Sequence, residues 1–305
     1  MARVLVLGNA GLDISLRMPR LPERGETLLG DGVTRAPGGK GLNQAVCAAR
    51  AGATVLFQAP VGDDGAADEI KSALAAEARL AFEPSVAPEA TDFSLLMVLP
   101  DGENSIVSAG PCAAGFTKEA AAAFAGRAEP QDIFLAQGNL AFDATLEAFT
   151  IVRARGAKTI LNPAPIWWDV DPLIPHCDVL VLNRSEAETI SRKTDPAAAL
   201  DDLSRRGAET TIITLGGDGC LMQSGGRMTR HAATPVDVRD TTGCGDTFCG
   251  VLAASLSRSM LLDESINFAQ AAAAITATRM GAYAALPQRF ELDAQFARGG
   301  PAGWP

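Results

Sequence analysis

The chain has 305 residues, of which 47% are hydrophobic and 20% charged, and its formal net charge at neutral pH is −10. This composition excludes a disordered chain, and the negative charge argues against a nucleic-acid partner because no broad basic face is available. The length predicts one large α/β domain with a small appendage. The six cysteines form no Cys-x-x-Cys pair and no apolar run is long enough to span a membrane, so we expect a cytoplasmic protein without membrane contact.

Apolar, β-rich runs alternate with alanine-rich helical runs along most of the chain. The predicted strands are Val4–Gly8, Thr54–Gln58, Asp132–Ala136, Thr159–Leu161, Val179–Leu182 and Thr211–Thr214. The predicted helices are Lys40–Ala51, Gly65–Ala78, Phe142–Arg155, Ala197–Arg206, Cys244–Arg258 and Glu264–Arg279. This alternation predicts an α/β fold with a doubly wound, mainly parallel sheet, whose ligands bind beyond the carboxyl ends of the strands.

Two stretches, Glu26–Arg35 and Phe93–Ser108, interrupt the alternation. The second is typical of a β-hairpin, with arms at Leu95–Leu99 and Ser105–Ser108 and a polar turn at Asp101–Asn104. By itself this pattern is also compatible with an ordinary hairpin at the edge of the main sheet.

The segment Arg239–Ala253 carries the strongest signal for chemistry. Gly243, Cys244 and Gly245 form a glycine-rich turn that leads into Asp246 and then into an apolar helix. Backbone N–H groups at a helix start bind anions, and glycines allow a phosphate to approach the main chain. A carboxylate beside such a site could accept a proton from an alcohol that attacks the phosphate. The alternative is an ordinary turn in which Asp246 is a helix N-cap.

A second glycine-rich segment, Gly38–Ala53, opens another helix of small residues, with Lys40, Asn43 and Gln44 at its start. Two glycine-rich helix starts in one chain suggest two halves of a ligand site. Lys40 is either a phosphate ligand or a solvated charge at the helix start, and the residues alone leave both interpretations open. In their order and separation, the two segments resemble the ribokinase-like (PfkB) family of sugar and nucleoside kinases.

Further motifs along nearly the whole chain are similar to those of this family, and some resemble ribokinases in particular. They lie at Asn9–Asp13, Leu161–Pro165, Leu182–Glu186, Thr214–Gly219 and Ala271–Arg279. The resemblance implies an ATP-dependent kinase that phosphorylates a hydroxyl of a small sugar, with Asp246 as general base. It further implies a kinase domain over 1–296, a β-sheet lid from about 14–36 and 91–110, a flexible tail at 297–305, and a homodimer formed through the lid.

The resemblance also implies a set of site residues. The amides of Gly243, Cys244 and Gly245 would stabilise the transferred phosphoryl group beside Asp246. The sugar would be held by Asp13, Gly39, Lys40, Asn43 and Asn139. The nucleotide would be bound by Asn183, Glu186, Thr214, Gly216, Gly219 and Gln270, with Mg²⁺ placed through water near Asn183 and Glu186. A monovalent cation such as K⁺ would be held around Asp240, Thr242, Thr276, Arg279 and Gly281.

Simpler interpretations of these residues stay open. Asp13 could be a turn residue that closes the first strand, Glu186 a first-turn helix charge, and Arg279 a cap for the carbonyls that end its helix. For the whole protein, one alternative is a nucleoside kinase of the same fold, which would need a larger and more aromatic acceptor site. Another is a catalytically silent sugar-binding regulator, which would lack the base or the glycine turn. With two histidines, His176 and His231, neither a zinc site nor a histidine-based triad is expected.

Two positions depart from the ribokinase pattern at the sugar site. Gly11 replaces an Asn, and Asn139 stands where ribokinases have a Glu. We expect Gly11 to open space for a bulkier substituent and ribose not to be the best substrate. Trp167 and Trp168 are interpreted as a loop wedge rather than as a sugar-stacking pair. The Cys244 thiol, at a helix start, is expected to have a depressed pKa and to be the most reactive of the six, provided that it is not buried.

Overall fold

Thirteen strands and ten helices are found in the part of the chain that the computed structural model describes, residues 2–100 and 104–299. The strands are β1 (Arg3–Leu7), β2 (Gly11–Arg17), β3 (Gly32–Gly38), β4 (Thr54–Val61), β5 (Leu80–Val86), β6 (Asp92–Val98), β7 (Asn104–Ala109), β8 (Ile133–Gln137), β9 (Lys158–Asn162), β10 (Val179–Asn183), β11 (Thr210–Thr214), β12 (Cys220–Ser224) and β13 (Arg227–His231). The helices are α1 (Lys40–Arg50), α2 (Gly65–Ala75), α3 (Pro111–Ala114), α4 (Lys118–Ala125), α5 (Phe142–Ala154), α6 (Arg184–Ser191), α7 (Pro196–Arg205), α8 (Cys244–Ser257), α9 (Leu262–Ala277) and α10 (Arg289–Gly299).

Nine strands form a large sheet with the order β13-β12-β11-β10-β9-β8-β1-β4-β5. The seven strands from β11 to β5 are parallel, and β12 and β13 continue the sheet in antiparallel pairing. Alternate side chains of β1 enter different cores: Val4 and Val6 pack with α1, α8 and α9, whereas Leu5 and Leu7 pack with α4, α5 and α7. Because helices cover both faces, the predicted doubly wound α/β fold is confirmed.

The chain reverses its direction across the large sheet between β1 and β8. From β1 it proceeds to β4 and β5 on one side, and from β8 it proceeds to β9, β10 and β11 on the other. In doubly wound sheets a crevice opens where the carboxyl ends of two such neighbouring strands diverge. The segments that follow these two strands, Gly8–Asn9 and Gly138–Asn139, are therefore placed where a ligand can bind.

A second, small sheet has the order β3-β2-β6-β7. Strand β6 pairs in parallel with β2 and antiparallel with β7, so the predicted hairpin arms are real. They belong to the small sheet, and the alternative of an edge hairpin on the main sheet is wrong. Of the predicted hairpin turn at 101–104, residues 101–103 lie outside the described part of the chain.

The predicted helices and strands are all present, with ends shifted by a few residues. The sequence interpretation missed the strands Leu80–Val86, Cys220–Ser224 and Arg227–His231 and the helices Pro111–Ala114, Lys118–Ala125, Arg184–Ser191 and Arg289–Gly299. The last helix extends into the tail predicted at 297–305, of which residues 300–305 are not described. Among the described helices, none combines the length and the apolar character needed to cross a bilayer.

Candidate active site

The glycine turn predicted to bind phosphate does begin a buried helix. Gly243 is the N-cap of α8 with a φ of 78°, a conformation that favours glycine. The Cys244 amide donates to the Thr241 carbonyl at 3.2 Å, so this amide is already engaged within the turn. A Cβ placed on Gly245 would meet no atom within 4 Å, so the space beside this residue is open. Of the three predicted amides, those of Gly243 and Gly245 are therefore the better candidates to receive an anion.

Asp246 follows in the first turn of α8 and is only 5% exposed. Its Oδ1 accepts a hydrogen bond from Gln44 Nε2 at 3.1 Å and lies 3.7 Å from Lys40 Nζ. Its Oδ2 accepts from Asn43 Nδ2 at 3.3 Å. The negative charge of Asp246 is the main cause that raises the pKa of Lys40. The carboxylate is thus bound by side chains of α1, and the interpretation of Asp246 as a simple N-cap is wrong because Gly243 occupies that position.

Asp13 lies on β2 of the small sheet and lines a large cavity beside Asp246. The alternative in which it closes the first strand is therefore wrong. Its carboxylate fits because Gly38, two residues beyond its partner Ala36 on the neighbouring strand β3, has no side chain: a Cβ there would lie 2.3 Å from Asp13 Cγ. Burial, reinforced by the charge of Asp246, raises the pKa of Asp13 to about 6. Gly39, Lys40, Asn43 and Asn139 line the same cavity.

The expectation that Gly11 opens space is wrong. A Cβ at this position would lie 2.5 Å from the carbonyl oxygen of Asp92, which is paired with Gly11 in the small sheet.

Asp92 is a residue of the site that sequence reasoning missed. It is buried, lines the cavity, and accepts hydrogen bonds from the amides of Cys112 at 2.9 Å and Ala113 at 3.1 Å. Burial raises the pKa of Asp92 to about 6. Asn139 also lines the cavity, and its Oδ1 is buried without a hydrogen-bond partner among the described residues.

Asn183 and Glu186 form the capping box of α6 at the wall of the large cavity. Asn183 Oδ1 accepts from the Glu186 amide at 2.8 Å, and Glu186 Oε2 accepts from the Asn183 amide at 2.8 Å. Burial raises the pKa of Glu186. Several of their side-chain oxygens already accept hydrogen bonds. These residues are therefore better suited to contact Mg²⁺ through its bound water than to ligate it directly. The described part of the chain contains no group of three or more His, Cys, Asp or Glu that could hold a metal.

Four of the six residues predicted to bind the nucleotide line a second, smaller cavity of about 190 Å³, whereas Asn183 and Glu186 line the larger one. Thr214, Gly216 and Gly219 lie on one wall and Gln270 of α9 on another. The side chain of Gln270 donates to the Ala232 carbonyl at 3.2 Å, which fixes the loop that follows β13. This cavity is mostly apolar at its α9 side, where Ala273, Ala274 and Ala277 contribute.

The five residues proposed for a monovalent cation are only partly brought together. The Asp240 carboxylate accepts hydrogen bonds from the Thr242 amide at 2.9 Å and the Gly281 amide at 2.8 Å. The Thr276 hydroxyl lies within the core, 2.8 Å from the hydroxyl of Thr247. The Arg279 side chain pairs with Glu291 on α10 and does not cap the end of α9. Thr276 and Arg279 could therefore reach such a cation only through backbone atoms.

The predicted depressed pKa of the Cys244 thiol is wrong. Burial, with the charges of Asp240 and Asp246, raises its pKa to about 12. Burial raises the pKa of the other five thiols as well, and all six cysteines are free. The positive end of the α8 dipole is outweighed because the side chain is removed from water and faces two carboxylates.

The larger cavity has a volume of about 780 Å³ and meets the smaller one at the start of α8. Thr214, Thr241, Gly245 and Phe248 line both. The glycine turn therefore stands between a space under the small sheet and a space beside α9. Of the tryptophan pair, Trp168 packs on Phe142 and donates to the Leu140 carbonyl at 3.1 Å, as expected for a wedge, whereas Trp167 lines the larger cavity.

Comparison with known proteins agrees with this geometry. A model of the pfkB family carbohydrate kinases matches residues 1–289. A ribokinase of Haemophilus influenzae is 34% identical over 292 residues, which cover 94% of this chain and 95% of the relative. Among solved structures, a ribokinase of Thermotoga maritima superposes with a TM-score of 0.90 at 26% identity, covering 97% of this chain and 100% of its own. A ribokinase of Arabidopsis thaliana complexed with ribose and ATP has a TM-score of 0.88 at 26% identity, over 96% and 98% of the chains. The resemblance stated from the sequence is confirmed: the chain belongs to the pfkB family of carbohydrate kinases, phosphotransferases with an alcohol acceptor.

Proposed function

We propose that this enzyme transfers the γ-phosphate of ATP to a hydroxyl of a small sugar. The observation that carries the proposal is the position of Asp246 and the glycine turn at the junction of two cavities. A nucleotide beside α9 would direct its phosphates toward the turn, and an acceptor under the small sheet would reach the same point from the other side. The Arabidopsis relative, whose structure contains ribose and ATP, supports this assignment of ligands.

In the proposed mechanism Asp246 accepts the proton of the acceptor hydroxyl as the hydroxyl oxygen attacks the γ-phosphorus, and the bond from that phosphorus to the bridging oxygen breaks so that ADP leaves. The Gly243 and Gly245 amides, with Cys244 completing the turn, stabilise the negative charge that develops on the transferred group. Lys40, 3.7 Å from Asp246, can place its positive charge beside the same phosphoryl oxygens. Hydrogen bonds from Asn43 and Gln44 keep the carboxylate oriented toward the cavity.

The acceptor would be held on both sides of the cavity. Asp13 on the small sheet offers carboxylate oxygens to two hydroxyls, and Gly39, Lys40, Asn43 and Asn139 complete the contacts from the main sheet. We propose that the small sheet, spanning about 14–36 and 91–110, serves as a lid on the kinase domain of residues 1–296.

Two kinds of metal ion belong to the proposal. Mg²⁺, when bound with the nucleotide phosphates, would neutralise their charge, and Asn183 and Glu186 would hold it through water. Thr214, Gly216, Gly219 and Gln270 would enclose the base. A K⁺ ion would lie by Asp240 and Thr242 near Gly281, with backbone groups at Thr276 and Arg279 as further ligands.

A nucleoside kinase is the second candidate, and one observation favours it. Trp167 is 54% exposed and lines the acceptor cavity, where its ring could contact a base. A silent regulator is less well supported because Asp246 and its glycine turn are intact.

We further propose that the protein acts in the cytoplasm, without a membrane or nucleic-acid partner, and that it forms a homodimer through the small sheet.

Replacing Asp246 with Asn tests the proposed base. Asp246→Asn preserves size and removes the proton acceptor, so kcat should fall by about 10²–10⁴ while ATP binding survives. ADP release in a coupled assay measures turnover, and equilibrium titration measures nucleotide affinity. Asp68→Asn, on an exposed position of α2, is the control for the same chemical change. Turnover of Asp246→Asn within about threefold of wild type would eliminate Asp246 as the base.

A further inference from the structure

A buried chain of side-chain amides runs behind Asp246. Gln137 Nε2 donates to Gln44 Oε1 at 2.8 Å, and Gln44 Nε2 donates to Asp246 Oδ1 at 3.1 Å and to Asn162 Oδ1 at 3.2 Å. Gln44 and Gln137 are almost completely buried, and neither lines either cavity described above. A substrate that enters the site cannot touch them, so their effect on the reaction must pass through Asp246.

The orientation of the Gln44 amide is set by its neighbours. Its oxygen accepts from Gln137, which directs its NH₂ group toward Asp246. Asn162 Nδ2 donates to the Val181 carbonyl at 3.1 Å, so its oxygen is the atom that faces Gln44. A buried amide whose acceptor and donor are both satisfied by fixed partners has one favourable orientation, because reversing it would unpair several groups.

The backbone around this chain is fixed by two glycines. Gly250 lies one turn after Asp246, and a Cβ there would come within 2.4 Å of the Gln44 carbonyl oxygen. Gly8, at the end of β1, leaves room for Gln137, whose Oε1 would lie 2.0 Å from a Cβ at that position. These close approaches place α1 against α8 and Gln137 against β1 with little freedom to move.

We propose that Gln44 is a positioning residue for Asp246, and that Gln137 acts one step further away by directing the Gln44 amide. The inference rests on the proposed role of Asp246 as the base. The Gln44 donor fixes the rotation of the carboxylate, so that an oxygen is presented to the acceptor hydroxyl before the substrate arrives. Lys40 and Asn43 also bind Asp246, but they line the cavity and can contact substrate directly, so a positioning role cannot be separated from binding for these two.

The test replaces Gln44 with Met, which has similar length and no NH₂ group. We expect kcat to fall about ten- to a hundredfold, as for a misplaced catalytic group, with KM for sugar and for ATP within about threefold of wild type. In the Asp246→Asn background, Gln44→Met should cost less than about twofold, because the group it positions has already lost its function. A general loss of folding would not produce this dependence on Asp246.

Two further variants keep the inference testable if Gln44→Met is unstable. Gln137→Met leaves Asp246 and Gln44 in place and should lower kcat by a smaller factor than Gln44→Met does. The double variant with Asp246→Asn should have the same kcat as Asp246→Asn alone. Ser255→Ala, a buried hydroxyl on α8 that bonds within its own helix, should leave kcat unchanged. The inference is overturned if folded Gln44→Met and Gln137→Met turn over at the wild-type rate, or if their losses persist in full beside Asp246→Asn. Wild-type turnover of Asp246→Asn alone would instead refute the proposed base.

Discussion

Three carboxylates, those of Asp13, Asp92 and Asp246, line the acceptor cavity; Asp92 and Asp246 are buried, and Asp13 is half-buried. Burial is the first cause that raises the pKa of Asp13 and of Asp92 to about 6. A carboxylate whose pKa is raised on folding contributes stability when protonated and loses that contribution as it ionises. At neutral pH both residues are therefore ionised, and their ionisation lowers the free energy of unfolding. A role in binding sugar hydroxyls would explain why carboxylates stand at these positions.

Asp13→Asn tests this conflict between stability and binding. The stability contribution of Asp13 is complete below about pH 4 and lost as the pH rises through about 6, so the neutral Asn should be more stable above pH 6. The gain is on the order of 2–3 kcal/mol, or a few degrees in Tm, at about pH 7.5, and it should vanish near pH 4. KM for the sugar should rise at least about tenfold.

Thermal unfolding of Asp13→Asn at the two pH values, with Asp68→Asn as control, measures the effect. A variant that is less stable than wild type at neutral pH would show that the hydrogen bond to Ser94 outweighs the cost of burial.

Two residues at the acceptor cavity, Gly11 and Asn139, bear on which sugar the enzyme accepts. Gly11 provides no side chain for a sugar hydroxyl, and the Asp92 carbonyl occupies the space that a larger residue would need. Asn139 offers an unpartnered oxygen without the charge of a carboxylate. Since each altered polar contact is worth about 1–3 kcal/mol, we expect ribose to be exceeded in kcat/KM by a ketohexose, a modified sugar or a nucleoside.

A panel of pentoses, hexoses, ketoses and nucleosides in the coupled assay decides between these acceptors. Asn139→Glu should shift the preference toward ribose, whereas Gly11→Asn should mainly destabilise the protein because of the contact with Asp92. A wild-type preference for ribose of about tenfold or more over every other compound would contradict the expectation.

At the scale of helices and strands, most of the fold could be predicted because buried parallel strands and small-residue helices have distinct patterns. The hairpin Cys220–His231 was missed although Gly225 and Gly226, both with positive φ, are typical of a two-residue turn. Strand β5 lies at the sheet edge and contains Pro84, which weakens its signal.

Local patterns predicted the parts of the candidate site that lie within one segment, whereas the assembly of several segments into one site was expected only from the family resemblance. Gln44 lies in the glycine-rich segment Gly38–Ala53, but its partners Gln137, Asn162 and Asp246 come from three other elements. Their proximity depends on strand order and on the packing of α1 against α8, which no local pattern specifies. Asp92 was missed for the same reason, since its register with Gly11 is a property of the small sheet.

The contact between α1 and α8 is the element that determines the position of Asp246. Gly250→Ala would place a methyl group 2.4 Å from the Gln44 carbonyl and 2.7 Å from Cys47 Cβ, so one helix must move. We expect a loss of about 1–3 kcal/mol in unfolding free energy and a fall in kcat, because Asp246 lies one turn away.

Gly65→Ala at the start of α2 is the matched control for this helix contact. A Cβ there meets no atom within 4 Å, so this variant should be as stable as wild type or slightly more so. Chemical denaturation compares the two variants. Equal stability of Gly250→Ala and wild type would mean that the helices are not in fixed contact.

At the scale of the whole molecule, the two faces of the small sheet have different chemistry. Asp13 and Ser94 are paired on the face that lines the cavity. Because side chains alternate along a strand, Leu95 and Val107 share the opposite face, on which Val107 is 60% exposed, whereas Phe93 at the start of β6 borders the cavity. Val33, 68% exposed, lies on the same face at the other side of the sheet. An exposed apolar sheet face of this kind is typical of an interface, which supports the proposed homodimer.

Val107→Lys tests the dimer. A charge in the centre of an apolar interface is not compensated by a partner, so the variant should be monomeric at about 10 µM protein, where wild type should be a dimer. Light scattering after size-exclusion chromatography gives the mass of each form. Val86→Lys is the matched control, since Val86 is a strand residue of similar exposure, 65%, on the edge of the large sheet.

The Val107→Lys monomer should also bind sugar less well. Because β7 pairs with β6, which carries Ser94 beside Asp13, we expect this variant to have a raised KM for sugar and an unchanged affinity for ATP. A wild-type protein that is monomeric at every concentration, or a Val107→Lys protein that remains a dimer, would contradict association through the small sheet.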